Sequence, residues 1–327
     1  MDLIRLDPER PSLEARHLDA LITLWLKDRQ RRVAERTADG YAEKILYFRE
    51  WWQSVGEALG WRLTEDALLD FNLHLTARVS RFGKPLGYHT RRDCLRRLRQ
   101  MFIWAYEKGY VAKDYSALVP SPDGSAPLRT AAPLEQLRRL ITATDLSPYP
   151  TRDRALLAVL LGTGVRRAEC ASINIEWVQI SADNSGELRV EAKKVGQREV
   201  HSRLVAFDGP TGKYIGAYLD TLMVSSGPLF ASGRSGQRLK PVGVYKAVKR
   251  LIGLAGLGDQ IQGPHDLRRN FTTYYNRNRR GESHGQLLSK QLGHSSFRMT
   301  AGYSLQDVED VREVLISPFA LLESGKR

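Results

Sequence analysis

The chain has 327 residues, 42% hydrophobic and 27% charged, the mixture of a globular protein of about two domains. Its two cysteines, Cys94 and Cys170, exclude a disulfide framework and zinc sites built on CxxC pairs, and no apolar run reaches the ~18–20 residues of a membrane span. Fifty Lys and Arg face 37 Asp and Glu, and the formal charge of +13 points to a polyanion partner, nucleic acid first.

Residues 1–10 alternate acid and base without an apolar stretch, which predicts no signal peptide and a cytoplasmic, reducing compartment, with nucleoid association when DNA is bound. Residues 12–110 read as helices. Leu13, His17, Leu21, Leu24 and Trp25 fall at helical spacing, as do Ile45, Phe48, Trp51 and Trp52. Thr37 is a candidate cap ahead of Tyr41, and Thr64 caps a helix that opens with Glu65 and Asp66. In 88–108, Cys94, Leu95, Leu98, Phe102, Ile103 and Ala105 share one face, and most arginines take the other. The prediction is a four-helix module with one basic face.

Val119–Ala132, rich in Pro, Gly and Ser, reads as a linker. The boundaries are therefore a helical DNA-binding domain over 1–120, a linker over 121–132 and a second domain over 133–327. Pro133, Leu134 and Glu135 open a helix, and another covers 152–161. Residues 173–180 and 187–203 alternate apolar and polar around an Asp183–Gly186 turn, which predicts a small antiparallel sheet. Helical periodicity returns over Tyr214–Met223, Val242–Leu251, Leu267–Tyr275, Leu287–Leu292 and Val308–Leu315. The fold class is mainly α with a small antiparallel β-sheet.

Charge is concentrated. Residues 78–113 carry ten basic against two acidic side chains, and 234–250 and 268–280 contain no acid at all. Residues 304–323 reverse the sign with five acids against Arg312. Three basic segments and an acidic tail describe a surface that embraces a polyanion on one side only. Candidate DNA contacts are Arg91, Arg92, Arg96 and Arg99 in the helical module, with Arg198 and Lys246 in the second domain.

Three short strings stand apart from core packing. Gly162-Thr163-Gly164-Val165-Arg166-Arg167-Ala168-Glu169 follows an apolar helix, and its two glycines free the backbone to turn and project Arg166. His265-Asp266-Leu267-Arg268 places a histidine and an arginine on one helix face. Gln291-Leu292-Gly293-His294 ends a helix at Gly293, and Tyr303 follows nine residues after His294. Arginine forks bind phosphate oxygens bidentately, histidine exchanges protons near neutrality, lysine can protonate a leaving alkoxide, and tyrosine can attack covalently. Together they are a phosphoryl-transfer set that needs neither metal nor cofactor.

These strings, TGVRRAE, HDLRR, LGHSS and the tyrosine of MTAGYS, resemble the tyrosine recombinase (phage integrase) family in residue order and spacing. The likeness is strong over roughly 133–315 and looser over the helical module, which resembles the family's core-binding domain. It implies a site-specific recombinase that cuts and rejoins duplex DNA through a 3′-phosphotyrosine, without metal or ATP. Arg166 and Arg268 then hold the scissile phosphate, His265 acts as base or stabiliser, His294 adds a hydrogen bond, Tyr303 is the nucleophile, and Glu169 orients Arg166. The family's Lys-x-Gly turn favours Lys194 as the catalytic lysine, with Lys193 the alternative, because adjacent strand residues face opposite ways. Arg269 stands where many relatives have histidine. Implied partners are duplex DNA with specific sites and three further protomers, a dimer per site and a tetramer on DNA, joined by one amphipathic helix after Tyr303 (Val308, Val311, Val314, Leu315, Phe319, Leu321, Leu322). The short N-terminus resembles two-domain Xer-like members rather than those with an arm-binding domain. A type IB topoisomerase shares the chemistry, and a catalytically silent DNA-binding relative would share the charge.

Overall fold

The computed structural model describes residues 15–59, 63–80, 83–111, 113–125, 130–193, 200–233, 235–277, 287–288, 291–293 and 315–324. The chain divides into two compact units, Met1–Arg129 and Thr130–Arg327.

In the first unit, α1 (Ala15–Arg32), α2 (Glu35–Val55), α3 (Glu65–Ala77) and α4 (Tyr88–Glu107) enclose one aromatic core. Phe48 sits at its centre, edge-on to Phe71 at 5.0 Å and stacked with Trp52 at 6.1 Å. Thr64 caps α3 as its position predicts: its Oγ1 accepts the Ala67 N–H at 3.1 Å. Thr37 does not cap α2. The helix starts at Glu35, and the Ala34 carbonyl takes the amides of Thr37 and Ala38, so a two-residue connection from α1 sets the start without a capping side chain. On α4 the buried set includes Met101 and Trp104, while Ile103 is 39% exposed and lies off the core stripe.

Two of the arginines on α4 are occupied within their own unit. Arg99 donates to the carbonyls of Ser116 and Val119, and Arg91 donates to Thr76 Oγ1 and the Asp123 carbonyl. Arg92 and Arg96 face solvent, with Arg96 also paired to Asp93.

The second unit is built around α6 (Pro150–Thr163), whose residues from Ala155 to Thr163 are all fully buried, as expected of a helix that is apolar on every side. Around it lie α5 (Leu134–Thr142), α7 (Arg167–Ser172), α8 (Gly209–Leu219), α9 (Pro241–Leu254), α10 (Pro264–Arg277) and α11 (Pro318–Glu323). Strands β1 (Val178–Ile180), β2 (Gly186–Lys193) and β3 (Val200–Phe207) form an antiparallel sheet in that order, with Val178 opposite Leu188 and Val190 opposite Arg203.

The charged start of α6 is clasped internally. Asp153 takes Arg152 on one carboxylate oxygen and both Arg250 and Ser147 on the other, so Arg250 of the basic 234–250 segment is structural. Arg238 likewise donates to the carbonyls of Ala171 and Ile173.

Three further expectations are corrected. Gly162 does not turn the chain. It lies inside α6, where a Cβ would fall 2.2 Å from Thr211 Oγ1, so its role is close approach of α6 to α8. Helix α8 ends at Leu219, and Met223 is 98% exposed beyond it. The tail is not one continuous helix through 322. Leu315–Ser317 is non-helical, Pro318 cannot continue a preceding helix, and Ser317 caps α11 by accepting the amides of Phe319 and Ala320. Phe319 and Leu321 are buried in the core of their own unit, so this part of the tail is seated in cis, while 304–314 lies outside the described residues.

Candidate active site

The site begins where α6 ends. Gly164 is left-handed (φ +67°), and a Cβ there would meet the Phe271 ring at 2.4 Å. Two residues on, Arg166 is extended and caps α7. Its backbone N–H donates to Glu169 Oε2 at 2.6 Å and its Nη1 to Glu169 Oε1 at 3.0 Å. Glu169 is therefore one turn after Arg166 and bonds it at two points. The same carboxylate receives the fork of Arg203 from β3, Nη1 to Oε1 at 2.8 Å and Nη2 to Oε2 at 3.1 Å.

Helix α10 brings the second arginine. His265 is exposed in its first turn, and Arg268, one turn later, is buried. Asp266 between them is buried, accepts the Gln262 amide and pairs with Arg269. Arg268 donates to the Gly164 carbonyl at 2.6 Å and to the Leu292 carbonyl at 2.8 Å. Arg166 reaches the same turn, with Nη1 on the Leu292 carbonyl at 3.4 Å and Nη2 on that of Gly293 at 3.2 Å. Two guanidinium groups from separate elements thus converge on the Leu292 carbonyl, two residues before His294 in the sequence.

That turn is itself fixed. Gln291 is fully buried. Its Nε2 donates to the carbonyls of Ala206 and Thr163, and its Oε1 accepts the Ala206 amide. Gly293 is left-handed (φ +62°), and the Arg203 guanidinium fills the space a Cβ would take, 2.9 Å away.

Arg166 and Arg203 share the Glu169 carboxylate and Arg268 adds a third cation close by, so the centre retains positive charge. Burial works to raise the Glu169 carboxyl, but the Arg203 hydrogen bonds and charge, then those of Arg166, hold it at about 2. Burial first, then the charges of Arg166 and Arg203, against Glu169, lower the Arg268 guanidinium to about 10. It is still a cation at neutral pH, poorly compensated and out of water, an arrangement that favours an anion.

The remaining candidates are placed as follows. Lys193 is the last residue of β2, opposite Val200. Lys246 is exposed on α9, and Arg91, Arg92, Arg96 and Arg99 lie in the first unit. Lys194, Arg198, His294 and Tyr303 lie outside the described residues. Among the described residues no group of three or more His, Cys, Asp or Glu is arranged to hold a metal.

A model of the phage integrase family matches residues 133–309, more than half of the chain. The chain belongs to the phage integrase family. It is a tyrosine-type site-specific DNA recombinase. Among its relatives, tyrosine recombinase XerC of Vibrio parahaemolyticus is 27% identical over 221 residues, 66% of this chain and 67% of the relative. Tyrosine recombinase XerD of Pseudomonas aeruginosa is 27% identical over 310 residues, 90% of this chain and 93% of the relative.

Solved structures of other proteins share the fold. XerH bound to palindromic difH in a post-cleavage complex has a TM-score of 0.60 at 22% identity, covering 79% of this chain and 73% of that one. A lambda integrase tetramer bound to a Holliday junction has a TM-score of 0.62 at 16% identity, covering 88% and 80%.

Two residues of this candidate centre escape a motif-based reading, Arg203 and Gln291. Arg203 carried a signal. It occupies the inward register of β3, two residues before the fully buried Val205, and a charge there requires a partner. Gln291 offered less, a polar residue beside the apolar Leu288 and Leu292.

Proposed function

We propose that this recombinase cuts and rejoins DNA through a 3′-phosphotyrosine at Tyr303. The observation that carries the reading is the convergence of Arg166 and Arg268 on the Leu292 carbonyl, two residues before His294, with a single carboxylate against the charge of three arginines. A phosphodiester offers the guanidinium groups better acceptors than neutral carbonyls, because hydrogen bonds between charged partners are roughly twice as strong as neutral ones.

In the proposed reaction Arg166 and Arg268 hold the nonbridging oxygens and stabilise the charge that builds on phosphorus. The Tyr303 oxygen attacks phosphorus while His265 accepts or stabilises its proton, and His294 donates to the phosphate. The bond from phosphorus to the 5′ oxygen breaks, and Lys194 (Lys193 in the alternative) protonates that oxygen. The phosphotyrosyl diester conserves the bond, so a 5′-hydroxyl from a partner duplex can reverse the attack without metal or ATP. Two protomers act on each site and four in synapsis, an assembly supported by the tetrameric lambda integrase complex that shares this fold. Since 315–324 is seated in cis, the acidic stretch 304–314 is the part of the tail left to contact a neighbour.

The test is covalent capture from a pool of nicked duplexes with randomised sequence, in chelator and without nucleotide. The wild-type chain should retain DNA through denaturation, and Tyr303→Phe should retain none. Capture by Tyr303→Phe would overturn the nucleophile. Absence of any adduct from the wild type would indicate a silent binding protein, and plasmid relaxation without strand exchange would indicate topoisomerase action.

A further inference from the structure

We propose that Arg203 is a positioning residue for strand cleavage: from β3 it fixes the Glu169 carboxylate that orients Arg166, and it braces the turn that leads into His294. The inference rests on Arg166 as a phosphate ligand, proposed above.

Arg203 sits where the sheet turns side chains inward, in register with Val205 and Phe207, both fully buried. Its side chain is only 13% exposed. A guanidinium in that setting is unfavourable unless its donors are met, and here they are met by the site itself. Two donors fork onto the two oxygens of Glu169, and Nε reaches the Gln291 carbonyl at 3.4 Å.

The geometry gives Glu169 two arginines with different freedom. Arg166 is 46% exposed on its side chain and must be free to meet DNA. Arg203 is far less exposed and is anchored on a strand. The carboxylate between them therefore takes its orientation from Arg203 and passes it to Arg166. The same guanidinium occupies the Cβ space of Gly293, so the backbone preceding His294 is packed on it directly. Strand β3 also begins next to the 194–199 segment that carries Lys194 and Arg198. One residue thus joins the hairpin, the first arginine and the turn before His294.

Among the described residues, the charged and titratable groups around Glu169 are Arg166, Arg203, Arg268 and the neighbouring buried thiol of Cys170. Burial would raise the Glu169 carboxyl, and Arg203 is the largest influence in the other direction, ahead of Arg166. Without Arg203 the carboxyl should titrate in the accessible range, and once protonated it can no longer hold Arg166. A purely structural arginine would not move a pH profile.

The experiment is single-turnover adduct formation between pH 5 and 9, using the full chain and the nicked duplex recovered from the randomised pool. Wild type should show no acid limb from Glu169 above pH 5. Arg203→Met should lose at least about tenfold at pH 8, and below a midpoint above pH 5 its rate should fall about tenfold per pH unit. Glu169→Gln should be slow without that limb, and the double variant should be within about threefold of Glu169→Gln alone, because the two residues act as one unit. In Arg203→Met a uniform loss at every pH, or in either Arg203 variant losses that multiply with Glu169→Gln, would overturn the role of Arg203. Should Arg203→Met not fold, Arg203→Lys carries the test: it keeps the charge, and is expected to be slowed with no acid limb and to be non-additive with Glu169→Gln. Arg166→Ala separates the two readings. If it forms adduct normally, the phosphate site itself is wrong. If it is inactive while Arg203→Met keeps a wild-type profile, only the positioning role fails.

Discussion

Glu169 accepts hydrogen bonds from two arginines on both carboxylate oxygens and is 1% exposed, which makes its ionisation part of the stability of the fold. Its folded pKa of about 2 lies below the ordinary glutamate value of 4.5, so between those values the unfolded chain binds more protons than the folded one. The contribution is complete above the unfolded value and is lost as pH falls through the folded one. Between pH 6 and pH 3 it amounts to about 2 kcal/mol. Glu169→Gln keeps the shape but removes the titration. Urea unfolding should show wild type losing about 2 kcal/mol more than Glu169→Gln over that interval, with the other acids common to both. An equal loss in the two proteins would mean that the arginines do not hold the carboxyl down.

Elements explain which parts of this centre can be read in advance. Arg166, Glu169, His265 and Arg268 are legible because their spacing is local: one turn of α7 joins the first pair and one turn of α10 the second. Thr64 is legible for the same reason, since a cap acts within four residues. Gly162 is not, because its need for hydrogen in place of a side chain comes from α8, about fifty residues on. The broken tail helix was signalled by Pro318, but the burial of Phe319 and Leu321 in cis depends on distant partners in the core. The α6–α8 contact is open to test. A Cβ at 162 would lie 2.2–2.8 Å from the Thr211 side chain, whose hydroxyl pairs with Ser317, the cap of α11. Gly162→Ala should therefore destabilise by about 1–3 kcal/mol through overpacking, despite alanine's better helix propensity. Thr211→Ala in the same chain should restore part of that loss in urea titrations. A stabilised Gly162→Ala would show that the helices have room to part.

Over the whole molecule, a formal charge of +13 overstates what DNA can meet, because several cations are already committed. Arg203 is held by Glu169, Arg250 by Asp153, and Arg238 and Arg99 by backbone carbonyls. The basic run of α4 is the clearest case, because one helix carries both kinds. Arg92 and Arg96 are exposed, whereas Arg99 is half-buried against the segment that follows the helix. Each phosphate contact releases counterions and steepens the dependence of affinity on salt, by about 0.9 in the log–log slope for duplex DNA. Fluorescence titrations of one duplex across a salt series should therefore separate the residues. Arg92→Ala and Arg96→Ala are each expected to flatten the slope by about 0.9. Arg99→Ala should leave the slope unchanged and lower the thermal stability of the chain, because two carbonyls lose their donor. If Arg99→Ala flattened the slope as much as Arg92→Ala, Arg99 would have to leave those carbonyls on binding DNA. The helix would then rearrange its C-terminal connection when it meets the duplex, and the slope measures that rearrangement separately from any loss of fold.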